Sequence, residues 1–154
     1  MESRIDDAAI HYEVFGSGRP VLMIHGFGQD HRLMMGCMEP LFTKRRGWKR
    51  IYFDLPGMGQ TPGPEWLSNS DQMLDVVRGF VDRVIPGKPY CVAGQSYGGY
   101  LAQGLAARDS NRLKGMLLLC PVVYGDAARR HLPIQVVLET TPGLLKTIST
   151  AQRS

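Results

Sequence analysis

A chain of 154 residues with a net charge of +4 is long enough for one domain with a sizeable core. The N-terminus, Met1 to Asp7, lacks the basic and apolar segments of a secretory signal, and no apolar run approaches the ~18 residues of a membrane span. The basic run Lys44-Arg45-Arg46 with Lys49-Arg50 lacks interleaved aromatics or a binding motif, so it reads as a solvated helix end and strand start, not a nucleic-acid surface.

In chain order, Ile5 and the segment Ile10-His11-Tyr12-Glu13-Val14-Phe15 predict two antiparallel strands, closed by Gly16-Ser17-Gly18. Val21-Leu22-Met23-Ile24 is a short continuous apolar run, the pattern of a strand buried on both faces. It runs into His25-Gly26-Phe27-Gly28, a glycine-rich turn through which backbone can approach a ligand closely. Asp30 is placed to cap a helix with Leu33, Met34, Cys37, Leu41 and Phe42 on one face, kinked or shortened at Pro40. Its methionines, Met34, Met35 and Met38, read as core filler. Trp48 to Phe53 is the next strand, and Pro56 and the neighbouring glycines enforce a tight loop directly after it, Asp54 to Thr61. Asn69 and Gln72 resemble a capping box opening a helix on which Met73, Val77, Phe80 and Val84 keep the helical period, stopped by Pro86-Gly87.

The most informative stretch follows. Pro89 to Ala93 reads as a strand, Gly94-Gln95-Ser96-Tyr97-Gly98 as a sharp turn, and Gly99 onward as a helix of small residues. A serine at such a turn is held in strained backbone with its hydroxyl exposed, and the residues two before and two after it must lack bulk, as Gly94 and Gly98 do. Leu113 to Pro121 gives a sixth strand, after which periodicity weakens. This alternation predicts an α/β fold with a doubly wound, mostly parallel sheet. Residues 1–125 form its core, and 126–154 read as the start of a cap or an incomplete C-terminal segment. Cys37, Cys91 and Cys120 are odd in number, with Cys91 and Cys120 in strands expected to be buried, so they read as reduced thiols in a cytoplasmic protein. No cysteine or histidine pair has metal-ligand spacing, and no cofactor is expected.

On three motifs in the same order, His25-Gly26-Phe27-Gly28, Asp54-Leu55-Pro56-Gly57-Met58-Gly59 and Gly94-Gln95-Ser96-Tyr97-Gly98-Gly99, the chain resembles the α/β-hydrolase family over roughly residues 10–123. The resemblance implies that Ser96 is the nucleophile and that the backbone N–H groups of Phe27 and Tyr97 form the oxyanion hole. It implies hydrolysis of an ester, amide or related acyl bond in a small-molecule substrate through an acyl-enzyme. Serine in the elbow argues against haloalkane dehalogenases and epoxide hydrolases, whose elbow carries aspartate, and leaves enzymes similar to prolyl aminopeptidases open.

The family order is Ser, then Asp or Glu, then His. After Ser96 the sequence offers Asp109, Asp126 and Glu139 as acids and His131 as its one histidine. His131 lies where the family inserts its cap, and Asp126 is the better candidate acid. No base is evident, and the chain is expected to be the N-terminal portion of a longer hydrolase, truncated after about the sixth strand. The competing class is a non-catalytic product that binds a ligand or partner. His25 and His31 precede the serine and are expected to make local hydrogen bonds, while His11 carries no signal. The sixth strand should form a sheet edge open to association with another chain.

Overall fold

The computed structural model describes residues 1–130. Strands β1 (Glu2–Ile5) and β2 (Ala8–Phe15) lead into β3 (Arg19–Ile24), α1 (His31–Phe42), β4 (Trp48–Phe53), α2 (Ser70–Val84), β5 (Tyr90–Gln95), α3 (Tyr97–Arg108) and β6 (Leu113–Leu119). The six strands form one sheet in the order β1-β2-β4-β3-β5-β6. Strands β1 and β2 pair antiparallel with each other and β2 pairs antiparallel with β4, whereas β4, β3, β5 and β6 run parallel. This is the mostly parallel, doubly wound sheet that the alternating pattern predicts.

The period of two along β3 explains how the sheet acquires a layer on each face. Leu22 and Ile24 pack with Val77 and Phe80 of α2 and with Leu101 and Leu105 of α3. Val21 and Met23 face the other way, onto Met34 and Met38 of α1. Burial on both faces is why β3 reads as an unbroken apolar run instead of an alternating one.

Local structure departs from the sequence expectation in several places. Helix α1 is capped by Asp30, whose carboxylate accepts from Arg32 N, and it continues through Pro40 to Phe42. Its buried residues are His31, Met34 and Met38, while Leu33 and Leu41 are exposed. The helix is rotated from the expected face because His31 is anchored to the sheet through Asp54. At α2, Asn69 accepts from Gln72 N as expected, but the Gln72 side chain accepts from Ser68 N and Oγ and not from Asn69 N, so the box is shifted by one residue.

Cys91 is half-buried and Cys120 exposed, against the expectation of two buried thiols. The reason is that β6 pairs with β5 alone among the described residues and leaves Met116 and Leu117 each 43% exposed. A free, apolar edge was expected at this strand.

Candidate active site

Ser96 joins β5 to α3 with φ 52° and ψ −114°, a backbone that L-residues adopt only at a cost of about 1–3 kcal/mol. The surroundings enforce it. Ser96 N donates to Leu119 O at 3.0 Å, and Ser96 O accepts from Tyr100 N at 3.2 Å and from Val122 N at 3.1 Å. The elbow is therefore clamped between the first turn of α3 and the chain leaving β6. The hydroxyl makes no capping hydrogen bond, although the residue occupies the N-cap position.

The glycines of the motif answer to backbone, which cannot rotate away. A Cβ on Gly94 would collide with the Gly98 carbonyl, and one on Gly98 would collide with the Ile24 carbonyl at the end of β3. On Gly99 it would stand 2.8 Å from Pro121 Cβ. These contacts press β5, α3 and β3 together, and they bring the turn after β3 beside the serine. A Cβ on Gly26 would lie 3.2 Å from Ser96 Cβ.

That turn is oriented by His25, which is fully buried. His25 Nδ1–H donates to Gly26 O at 2.8 Å, and its Nε2 accepts from Leu55 N at 3.0 Å. This fixes one neutral tautomer, and burial lowers the pKa of the imidazole below its ordinary value. The Gly26 carbonyl and the Phe27 N–H belong to one planar trans peptide and point in opposite directions. Holding the carbonyl on His25 therefore turns the Phe27 N–H away from it. Neither Phe27 N–H nor Tyr97 N–H donates to another group among the described residues. Tyr97 is also the first residue of α3, so its N–H lies at the positive end of the helix dipole. Two amide oxygens near Gly26, Gln29 Oε1 and Gln95 Oε1, are buried without partners among the described residues.

A cavity of about 550 Å³ opens beside the two candidate donors, with Phe27, Met58, Leu67, Met73 and Tyr97 among its lining residues. Phe27 is 76% exposed and meets Tyr97 edge-on, with ring centroids 6.1 Å apart. Pro56 to Met58 form a wall of this cavity, and Asp54 holds their loop. Its buried carboxylate accepts from Gln60 N at 2.8 Å and from His31 N at 2.8 Å. His31 was expected to bond locally, yet its Nδ1 reaches the same carboxylate at 2.7 Å, twenty-three residues away.

Two of the three candidate acids are occupied elsewhere. Asp109 accepts from the Tyr90 hydroxyl at 3.0 Å, and Asp126 is exposed and accepts from Ala128 N at 2.9 Å. His131 and Glu139 lie outside the described residues.

A mostly parallel α/β sheet with a serine at the turn between a central strand and its helix defines the class of protein as an α/β hydrolase. The chain belongs to the alpha/beta hydrolase fold family, whose model matches residues 19–141. It is 32% identical over 108 residues to a pimeloyl-[acyl-carrier protein] methyl ester esterase of Legionella pneumophila, covering 70% of this chain and 40% of that protein. Among solved structures it is similar to an alpha/beta superfamily hydrolase from Oenococcus oeni, with TM-score 0.75 and 30% identity, over 95% of this chain and 57% of the other. A thermophilic esterase from Thermogutta terrifontis aligns with TM-score 0.68 and 27% identity, over 78% of this chain and 43% of the esterase. The chain thus spans less than half the length of the curated relative. No helix among the described residues is long and apolar enough to cross a membrane.

Proposed function

We propose that this chain carries the nucleophile and oxyanion hole of a serine esterase acting on small-molecule esters, and that it works in the cytoplasm, as its free thiols support. The observation that carries the reading is the strained Ser96 backbone beside the N–H groups of Phe27 and Tyr97, with neither the Ser96 hydroxyl nor these two N–H groups committed to a partner among the described residues. Ser96 Oγ attacks the ester carbonyl carbon, and the carbonyl electron pair moves onto oxygen, where Phe27 N–H and Tyr97 N–H bind it. Collapse of this intermediate expels the alcohol and leaves acyl-Ser96. Water then attacks the acyl carbon, releasing the carboxylic acid and restoring the hydroxyl. The apolar cavity beside Phe27 and Tyr97 suits an apolar acyl or alkyl group.

The serine proton requires a base. His25 is committed to Gly26 O and Leu55 N, His31 to Asp54 and Glu13, and His11 to Gln60. The base therefore comes from outside residues 1–130. The same observation favours a second reading, a non-catalytic protein that binds a ligand in this cavity.

Exposure of the chain to p-nitrophenyl acetate, with and without added imidazole as a substitute base, separates the readings. Mass spectrometry is expected to find the acetyl group on Ser96, formed faster with imidazole and absent in Ser96→Ala. Without imidazole, turnover should stay close to that of Ser96→Ala, because loss of a triad member costs about four powers of ten or more. No acylation of Ser96 even with imidazole would leave the non-catalytic reading standing. Ordinary hydrolase turnover by the chain alone would place the base at His131.

A further inference from the structure

The alternation of β2 divides its side chains between the two faces of the sheet. Tyr12 and Val14 pack toward α2 with Ile10, whereas His11 and Glu13 point to the opposite face, where α1 begins at His31. One donor atom from each of His11, Glu13 and His31 lies within 4.8 Å of the others. We propose that these three side chains form a binding site for a divalent transition metal, Zn²⁺ above all, outside the elbow and the oxyanion turn.

The hydrogen-bond geometry directs two of the three donors at one point. Nδ1 of His31 lies 2.7 Å from the buried Asp54 carboxylate, which can only accept, so Nδ1 carries a proton. That contact fixes the ring and tautomer, as a carboxylate behind a metal-bound histidine does. His31 Nε2 then faces Glu13 Oε1 at 3.3 Å. A lone pair and a carboxylate oxygen do not tolerate that approach unless a proton or a metal lies between them. Donor atoms on a tetrahedral Zn²⁺ with bonds of about 2.1 Å stand about 3.4 Å apart, so the pair is already at ligand spacing. His11 is the third donor, its ring centroid 5.1 Å from that of His31. Its Nε2 now accepts from Gln60 Nε2 at 3.1 Å, so that nitrogen is unprotonated, and a bound ion would displace the Gln60 N–H from it.

His11 and Glu13 are half-buried, so their side chains can rotate to close on an ion that enters from solvent. Two imidazoles and one carboxylate suit Zn²⁺, with water as fourth ligand, better than Ca²⁺ or Mg²⁺. The bound ion would fasten β2 to the start of α1 and, through Asp54, to the loop that walls the cavity.

Calorimetric titration of the metal-free chain with Zn²⁺ should show one equivalent bound. Glu13→Gln and His11→Asn should each weaken it by about 10-fold or more, the least that disturbing such a site costs. Circular dichroism checks that both variants, altered at half-buried positions, remain folded. Co²⁺ should give visible d–d bands without a near-ultraviolet thiolate band. Absence of binding would overturn the proposal and leave a proton between His31 and Glu13. Native affinity retained in both variants, or a thiolate–cobalt band placing the ion on the exposed Cys37 or Cys120, would also overturn it.

Discussion

Replacing Ser96 with glycine or alanine removes the same hydroxyl but treats the backbone differently. At φ 52°, ψ −114° alanine keeps the strain that serine bears, whereas glycine adopts positive φ without a Cβ penalty. Relief of that strain is worth about 1–3 kcal/mol. Against it stands the greater freedom of glycine in the unfolded chain, about 0.4–1 kcal/mol. The net expectation is that Ser96→Gly is more stable than Ser96→Ala by about 0.5–2 kcal/mol. Urea unfolding followed by circular dichroism reads this directly. With a slope of about 1.5 kcal/mol per molar urea, the midpoint should move up by about 0.3 to 1.3 M. Neither variant can form an acyl-enzyme at this position, so the comparison isolates the backbone. If Ser96→Gly is no more stable than Ser96→Ala, the elbow is not strained and the argument that backbone enforces the serine's exposure fails.

Burial lowers the pKa of His25, so the unfolded chain binds a proton there below about pH 6.5 that the folded chain resists. Stability should therefore be full above that pH and fall as pH drops through the window below it; urea midpoints at about pH 7.5 and about pH 5.5 should differ less in His25→Asn. Asp54→Ala strands the Gln60 and His31 N–H groups, and with orphaned buried donors costing about 1–3 kcal/mol each it should lower thermal stability by several degrees, an outcome that Asp54→Asn should soften. The exposed edge of β6 should drive self-association, so sedimentation should show oligomers for the native chain and fewer for Leu117→Lys; a native monomer would show that the edge is covered.

The features legible in the sequence are those whose cause is local. Gly94 and Gly98 stand two residues from Ser96 because the chain contacts itself there, so motif and geometry are one observation. The unbroken run of β3 follows from burial on both faces and needs no knowledge of its neighbours. What escaped depends on distant partners. His31 meets Asp54 across twenty-three residues and Glu13 across eighteen, and no spacing rule in one dimension reports either. The same anchor rotates α1 and sends Leu33 and Leu41 outward, against a periodicity that fits two faces of that helix almost equally. Exposure of Cys120 likewise depends on what flanks β6, a property of sheet order and not of the strand's composition.

One consequence joins the edge strand to the site. The strained Ser96 peptide is held by Leu119 O at the end of β6 and by Val122 N just beyond it, while Gln103 Nε2 donates to Val122 O at 3.1 Å. Pro121 lies against Gly99, so the same few residues also press on the first turn of α3. The conformation that presents the hydroxyl thus depends on the strand with a single partner among the described residues. An edge strand opens at lower free energy than a central one, because fewer buried contacts and hydrogen bonds must break. Any chain segment that pairs with β6 would then raise the population of the strained elbow, and fraying of β6 would let Ser96 relax. The geometry of the nucleophile is accordingly set from two directions, locally by Gly94 and Gly98 and remotely by how firmly β6 is held.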